Sequence, residues 1–259
     1  MKHIFLTAGM LVVLALNFCK AQNVGEAKSS GGFCVMSYNV RNCKGMDDVV
    51  DYARVAAVIN KYQPVVVALQ ELDSATQRSN GVVVLDTLAA LTGLVKSFSP
   101  SIDFQGGKYG VGLLSAEKPI GYQLFSLPGR EEKRSLLVVE FADYFFCSTH
   151  WTLTREDRIT SAHFVNQLLA SLSKPVLIAG DFNAVPDSPE IALMLEKWVM
   201  LNSPDIPTIP SENPERCIDF IFGSRTAGIS WEVLQTSVPQ EPVASDHLPV
   251  LVRVRMHKE

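Results

Sequence analysis

Six strand-like apolar runs, far apart along the chain, each carry an acid, an amide or an imidazole at or near one end, and this recurrence limits the fold more than any single motif. The clearest case is "KPVLIAGDFNAVPDSPE", residues 174–190, where an apolar run delivers Asp181 and Asn183 and then meets two prolines. Alone, such an ending is a turn, because Asp and Asn side chains bond nearby backbone groups and tolerate unusual dihedrals. Five further runs repeat it. "SYNV" puts Asn39 near an edge, "LQE" puts Glu71 there, "FFCSTHW" delivers His150, "CIDFIF" embeds Asp219 in an apolar strand, and "SDHLPV" sets Asp246 and His247 just before the last run. If the strands of two packed sheets open toward one edge, these groups form a single cluster.

Helical spacing fills the intervals. "MDDVVDYARVAAVINKYQ" repeats apolar residues through Val50, Val55, Ala56, Val58 and Ile59, and Pro64 ends it. A second helix is predicted over residues 85–92, stopping at Gly93, and a third over 155–172 with Ile159, Ala162, His163, Val165, Leu168, Leu169 and Leu172 on its buried side. A short helix is predicted near 188–199. The runs "LVKSFSP", "YGVGLLS", "IGYQLFS", "RSLLVVEFA" and "DYFFCSTHW", separated by turn signals, predict antiparallel neighbours. "VVVALQE" is expected to end as a strand at Gln70 and Glu71. No fixed-period repeat or low-complexity run interrupts the pattern, so one mixed α/β domain is expected over residues 33–256, built as strand layers flanked by helices.

With 47% hydrophobic and 19% charged residues in 259, the chain suits a sizeable globular core rather than disorder. Its first residues differ: Lys2 precedes "IFLTAGMLVVLALNF", too short for a comfortable membrane span, and then comes "CKAQNVGEAKSSGG". Residues 1–21 read as a signal peptide cleaved after Ala21, and 22–32 as a flexible linker, giving a secreted or periplasmic protein. The alternative is a lipid anchor on Cys19, although Phe18 is bulky for that signal. Cleavage removes Lys2 and Lys20 and no acid, so 23 basic residues become 21 against 27 acidic ones, a balance of −6. An acidic protein gains no general attraction to polyphosphates. Cys34, Cys43, Cys147 and Cys217 offer no CxxC pair or close histidine, which argues against zinc. Cys34 and Cys43 are the nearest couple for a disulfide, whereas Cys34, Cys147 and Cys217 lie in strand-like runs and read as buried thiols.

The polar cluster matches metal-assisted phosphodiester cleavage, which needs hard oxygen ligands for Mg2+ or Mn2+, a carboxylate to orient water and donors to the phosphate. In order, "MSYNVR", "ALQEL", "STHW", "AGDFNAVPDSPE", "CIDFIF" and "SDHLPV" resemble the motifs of the endonuclease/exonuclease/phosphatase family, the deoxyribonuclease I-like phosphohydrolases. The resemblance spans the domain and implies a four-layer α/β/β/α sandwich of two mixed β-sheets with flanking helices and a site at one sheet edge. It implies Glu71 as the principal metal carboxylate with Asn39 beside it, and Asp246 binding the same ion directly or through water. Asp181 would orient and activate water, and Asn183 would hold Asp181 or the phosphate. His247, its tautomer set by Asp219, would donate to the phosphate. His150 would be a second donor or the leaving-group acid.

Other groups read either way. Tyr109 corresponds to a substrate-edge tyrosine of some relatives or simply packs; Arg158 reaches a phosphate or decorates the surface. His163 reads as a packed histidine, Lys108 as a solvated turn charge, and Trp151 as facing either the other side of its strand or the pocket. The expected activity is hydrolysis of a phosphoester, a phosphodiester first and a phosphomonoester of the inositol phosphate or phosphoinositide kind as the rival. The tryptophan and arginine signatures of inositol 5-phosphatases are missing around "AGDFN" and "PERCIDFIF". A silent binding module of the same fold is disfavoured because every catalytic position is filled. No long apolar insertion suggests entry into a bilayer, and no obligate protein partner is evident, so a monomer is expected.

Overall fold

Backbone alternation along the twelve strands of the described residues decides which side chains meet, and it sorts their apolar residues into three cores. The structure, a computed structural model, describes residues 32–258, so the signal segment and residues 22–31 of the linker lie outside the described residues. In chain order the strands are β1 (Phe33–Asn39), β2 (Val66–Ser74), β3 (Val95–Phe104), β4 (Gly107–Ser115), β5 (Gly121–Ser126), β6 (Ser135–Glu140), β7 (Phe145–His150), β8 (Val176–Asp181), β9 (Trp198–Met200), β10 (Asp219–Ser224), β11 (Ile229–Ser237) and β12 (Val250–Lys258). The helices are α1 (Tyr52–Tyr62), α2 (Val84–Thr92), α3 (Arg155–Leu169) and α4 (Pro189–Leu195).

One sheet runs β11-β12-β1-β2-β4-β3 and the other β5-β6-β7-β8-β10-β9. Each is mixed: β1 and β2 are parallel, as are β7 and β8, and their outer neighbours are antiparallel. Phe33, Val35, Val66, Ala68, Leu137, Phe146, Leu177 and Ala179 point between the sheets and form the central core. The opposite parity, Met36, Tyr38, Val67 and Leu69, packs under Val55 and Ile59 of α1 and Leu85 and Leu88 of α2. Cys147, Ile178, Phe220 and Phe222 pack under Ala162 and Val165 of α3 and Ile191 and Met194 of α4. Strands thus buried on both faces explain the unbroken apolar runs, each such side chain contributing roughly 1.5–3 kcal/mol. The result is the expected four-layer sandwich.

Three local expectations change. The helix near 188–199 ends at Leu195, and Trp198–Met200 becomes a strand because the free edge of β10 accepts it, with Trp198 buried and its indole N–H donated to Asn166 Oδ1 at 2.7 Å. The helix from 155 stops at Leu169; its buried stripe is Asp157, Ser161, Ala162, Val165 and Leu169, which turns His163 about 100° away and leaves it exposed. Strand β2 does not stop at Glu71 but continues through a bulge to Ser74. The four cysteines of the described residues are all buried, as read for Cys34, Cys147 and Cys217, and no disulfide joins Cys34 to Cys43. Trp151 turns to the outer side of β7, fully buried with its ring 4.6 Å from that of Phe182.

Candidate active site

The inward parity that builds the central core ends, at one edge, in polar residues. Asn39 follows Val35 and Ser37 on the inner face of β1; His150 follows Phe146 and Ser148 on β7; Asp181 follows Leu177 and Ala179 on β8. Strand register then aligns His150 with Asp181, and Asp181 with Asp219 across β10. Gly180 permits the closest of these approaches, since a Cβ there would strike the Thr149 carbonyl oxygen. Glu71 arrives differently. Between Leu69↔Gly112 and Leu72↔Gly110, two residues of β2 face one of β4, and Glu71 takes φ 62, so the bulge turns its side chain off the helix-facing side and toward Asn39.

Asp181 is the hub. Its Oδ1 accepts Asn183 N–H at 2.9 Å, its Oδ2 accepts Asn39 Nδ2 at 3.1 Å, and the Nε2 atoms of His150 and His247 lie 3.4 and 3.7 Å from that same oxygen. Asn183, held at φ 49, donates to Trp151 O at 2.9 Å and lies 3.1 Å from His150 Nε2. His247 Nδ1 meets Asp219 Oδ2 at 2.9 Å, and Thr208 Oγ1 donates to that oxygen at 2.5 Å. Asp181, Asp219, His247 and His150 are 2%, 1%, 4% and 5% exposed, so their charges act in a poorly screened setting. Burial, then the Asp219 charge, raises the pKa of Asp181. Burial opposes a charged His247, but Asp219 and Asp181 outweigh it and push its pKa up to about 10. Burial, aided by Arg134 and His247, drives His150 the other way, well below the ordinary histidine range.

The second half of the site is richer in unshared negative charge. Glu71 Oε1 accepts Asn39 Nδ2 at 3.0 Å, and burial followed by the nearby Asp246 charge raises its pKa. Asp246 is partly open, with Arg41 Nε at 3.7 Å. Asn39 carries its backbone in place through Ser245, whose hydroxyl donates to Asn39 O at 2.7 Å. Two hard-oxygen carboxylates, close enough for the Asp246 charge to raise the Glu71 pKa and with Arg41 3.7 Å from Asp246, are the donor set that a divalent ion of the magnesium class satisfies. Asn39 bridges Glu71 and Asp181 with its NH2, and its Oδ1 accepts Arg41 N–H at 3.1 Å, so its carbonyl is not turned to that pair. Asp181, Asp219 and His247 also have ligand-type atoms within 4.8 Å of one another, but the imidazole lies between the carboxylates, with Nδ1 2.9 Å from Asp219 Oδ2 and Nε2 3.7 Å from Asp181 Oδ2, while Asp219 Oδ1 has no partner.

Eight of the ten residues picked from sequence come together. Arg158 does not: its Nε donates to buried Glu190 at 2.6 Å and its Nη1 to Leu153 O at 2.6 Å, so it fastens the loop after β7. Tyr109 is buried beside Phe104 and Arg78, close enough for the Glu71 charge to raise its pKa further after burial. Sequence reasoning missed Thr208, Ser245 and Arg134. Arg134 Nη1 lies 3.0 Å from His150 Nδ1, yet it ends the charged stretch "GREEKRS", which reads as solvated surface.

Solved structures share this arrangement of layers. An endonuclease/exonuclease/phosphatase from Beutenbergia cavernae superposes with TM-score 0.72 at 22% identity, covering 87% of this chain and 72% of that one. A mannosyl-6-phosphatase from Bacteroides thetaiotaomicron gives TM-score 0.66 at 18% identity, covering 86% and 99%. ANGEL2, a 2',3'-cyclic phosphatase, gives 0.65 at 16% identity, covering 86% and 94%. At such identities the likeness speaks for the fold. No curated protein is a significant match. The sequence profile of the Endonuclease/Exonuclease/phosphatase family, however, matches residues 36–247, which takes in Asn39, Glu71, His150, Asp181, Asn183, Asp219, Asp246 and His247, and the chain belongs to that family.

Proposed function

We propose that the protein is an exported hydrolase of phosphoesters, phosphodiesters first, dependent on Mg2+ or Mn2+. The observation that carries this reading is Asp181 Oδ2, a buried carboxylate oxygen with two imidazole Nε2 atoms at 3.4 and 3.7 Å and the Asn39 bridge to Glu71 at its side. Glu71 and Asp246 would hold the divalent ion, with Asn39 next to them; the ion, when bound, makes water acidic near neutral pH and offsets charge on the phosphoryl oxygens. Asp181 then accepts the proton of the attacking water, and its raised pKa makes it a better base than an ordinary carboxylate. Asn183 N–H keeps the other oxygen, Oδ1, fixed so that Oδ2 faces the water. His247 stays an imidazolium because Asp219 accepts its Nδ1–H, leaving Nε2–H for a non-bridging phosphoryl oxygen. His150 Nε2 approaches the same Asp181 oxygen, 3.4 Å away. Water is thereby held for in-line attack, the ester oxygen leaving opposite.

Bis(4-nitrophenyl) phosphate and 4-nitrophenyl phosphate, each assayed with Mg2+, Mn2+ or EDTA, test this. Hydrolysis that EDTA abolishes and either ion restores is expected; full activity in chelator after exhaustive dialysis contradicts it. A monoesterase reading is favoured by the Bacteroides neighbour named for mannosyl-6-phosphatase activity, and it requires the monoester to be turned over faster than the diester. Export rests on the apolar segment after Lys2: protein from its own host is expected to start near Gln22 or to carry lipid on Cys19, and an intact Met1 by mass spectrometry would refute both.

A further inference from the structure

The two imidazoles of the site have opposite partners. His247 gives its Nδ1–H to a carboxylate, Asp219, at 2.9 Å. His150 presents Nδ1 to a guanidinium, Arg134 Nη1, at 3.0 Å. Arginine carries five N–H donors, no acceptor, and a charge that no neighbour removes. A contact that short therefore requires a lone pair on His150 Nδ1. A neutral imidazole has one N–H, so it sits on Nε2, the nitrogen 3.4 Å from Asp181 Oδ2. Asn183 Nδ2 lies 3.1 Å from the same Nε2, but it already donates one N–H to Trp151 O at 2.9 Å and can turn the other aside. Arg134 can only donate, so Arg134 decides which nitrogen keeps the lone pair.

Arg134 is built in rather than passing by. It directly precedes β6, whose pairing with β7 sets Leu136 against Thr149 and so brings Arg134 alongside the end of β7. Its backbone carbonyl accepts Leu127 N–H at 2.9 Å, its side chain is 11% exposed, and Glu132 Oε1 lies 3.2 Å from Nη1 on the solvent side. Its Nε–H is buried without a partner, and its charge is felt by Glu71 as well as His150.

We propose that Arg134 is a positioning residue that holds His150 as the Nε2–H tautomer, so that His150 grips a phosphoryl oxygen as a hydrogen-bond donor and does not protonate the leaving group. This rests on the hydrolase reading for its purpose but not for its geometry. A second proton on His150 would have to enter on Nδ1, directly against the guanidinium. Arg134 thus settles the choice between donor and leaving-group acid that the sequence left open, and divides the imidazoles into one charged and one neutral donor.

Long-range 1H–15N correlation of the full chain in chelator at neutral pH reads the tautomer directly. Wild type is expected to give the pattern of an unprotonated Nδ1 and a protonated Nε2 at His150. Arg134→Met, which removes the donor, should mix the tautomers, and Arg134→Lys, which restores one, should recover the wild-type pattern. With bis(4-nitrophenyl) phosphate and Mg2+, Arg134→Met should lose ~10–100-fold in kcat/KM, with much of it returned by Arg134→Lys. An Nδ1–H or doubly protonated His150 in wild type overturns the proposal, as does an Arg134→Met spectrum unchanged from wild type. If Arg134→Met does not fold, the wild-type spectrum still decides. The expected tautomer in a chain inactive on every phosphoester would sink the hydrolase reading and leave the Arg134 contact standing.

Discussion

The two sides of the site are finished to different degrees. On the side of β7, β8 and β10, Asp181 is bonded to Asn183 and Asp219 Oδ2 to His247 and Thr208, with Asp219 Oδ1 the atom left buried without a partner. On the side of β1 and β2, Glu71 sits at φ 62, the turn after Asn39 runs through Arg41, Asn42 and Cys43 at φ 45, 47 and 62, and two carboxylates share one region. A left-handed non-glycine residue costs about 1–2 kcal/mol, a cost that Asn183 at φ 49 carries on the first side too, and on the second the two neighbouring carboxylates add to it, with Arg41 3.7 Å from Asp246. The difference teaches that the first half is held by bonds among its own side chains, whereas the second sets two carboxylates side by side, a charge that a bound cation would offset.

Breaking the finished half should cost most. Asp219→Asn leaves His247 without its main counter-charge and should lower stability by about 3 kcal/mol at pH 6, measured by urea unfolding. Asp181→Asn keeps size and most hydrogen bonds while removing the base, so turnover should fall by on the order of 10² or more with little change in metal affinity. A smaller effect follows from the His247 pKa. Because it is raised in the fold, its contribution is complete below ~6.5 and is lost as pH climbs through about 10; metal-free wild type should lose stability over that window and Asp219→Asn should flatten the curve. The smallest effect has the opposite sign: Glu71→Gln removes a charge from the unfinished half and should stabilise the protein in chelator by about 1 kcal/mol.

What the sequence made legible was whatever alternation controls. Asn39, His150, Asp181 and Asp219 are visible at or near strand ends because side chains two apart share a face, while the layers were expected from the alternation of strands and helices and the four-layer form from the family resemblance. What escaped depends on departures from alternation or on distant chain crossings. The bulge at Glu71 carries no glycine to announce it, and without it Glu71 would lie on the helix-facing side. Thr208 sits in a proline-rich loop and meets Asp219 across 11 residues, Arg134 meets His150 across 16, and neither has a local signal. Arg158 misled because its partner, buried Glu190, lies on α4. His163 misled because the buried stripe of α3 is narrower than its apolar residues suggest.

Thermal melting of the wild-type chain in chelator and in saturating Mg2+ or Mn2+ tests the contrast between the halves most directly. The account predicts a saturable rise in Tm with either ion, kept in Asp181→Asn and lost in Glu71→Gln, since ligand binding to the folded state stabilises it by mass action. Equal melting of wild type with and without the ions, or an undiminished rise in Glu71→Gln, would contradict it.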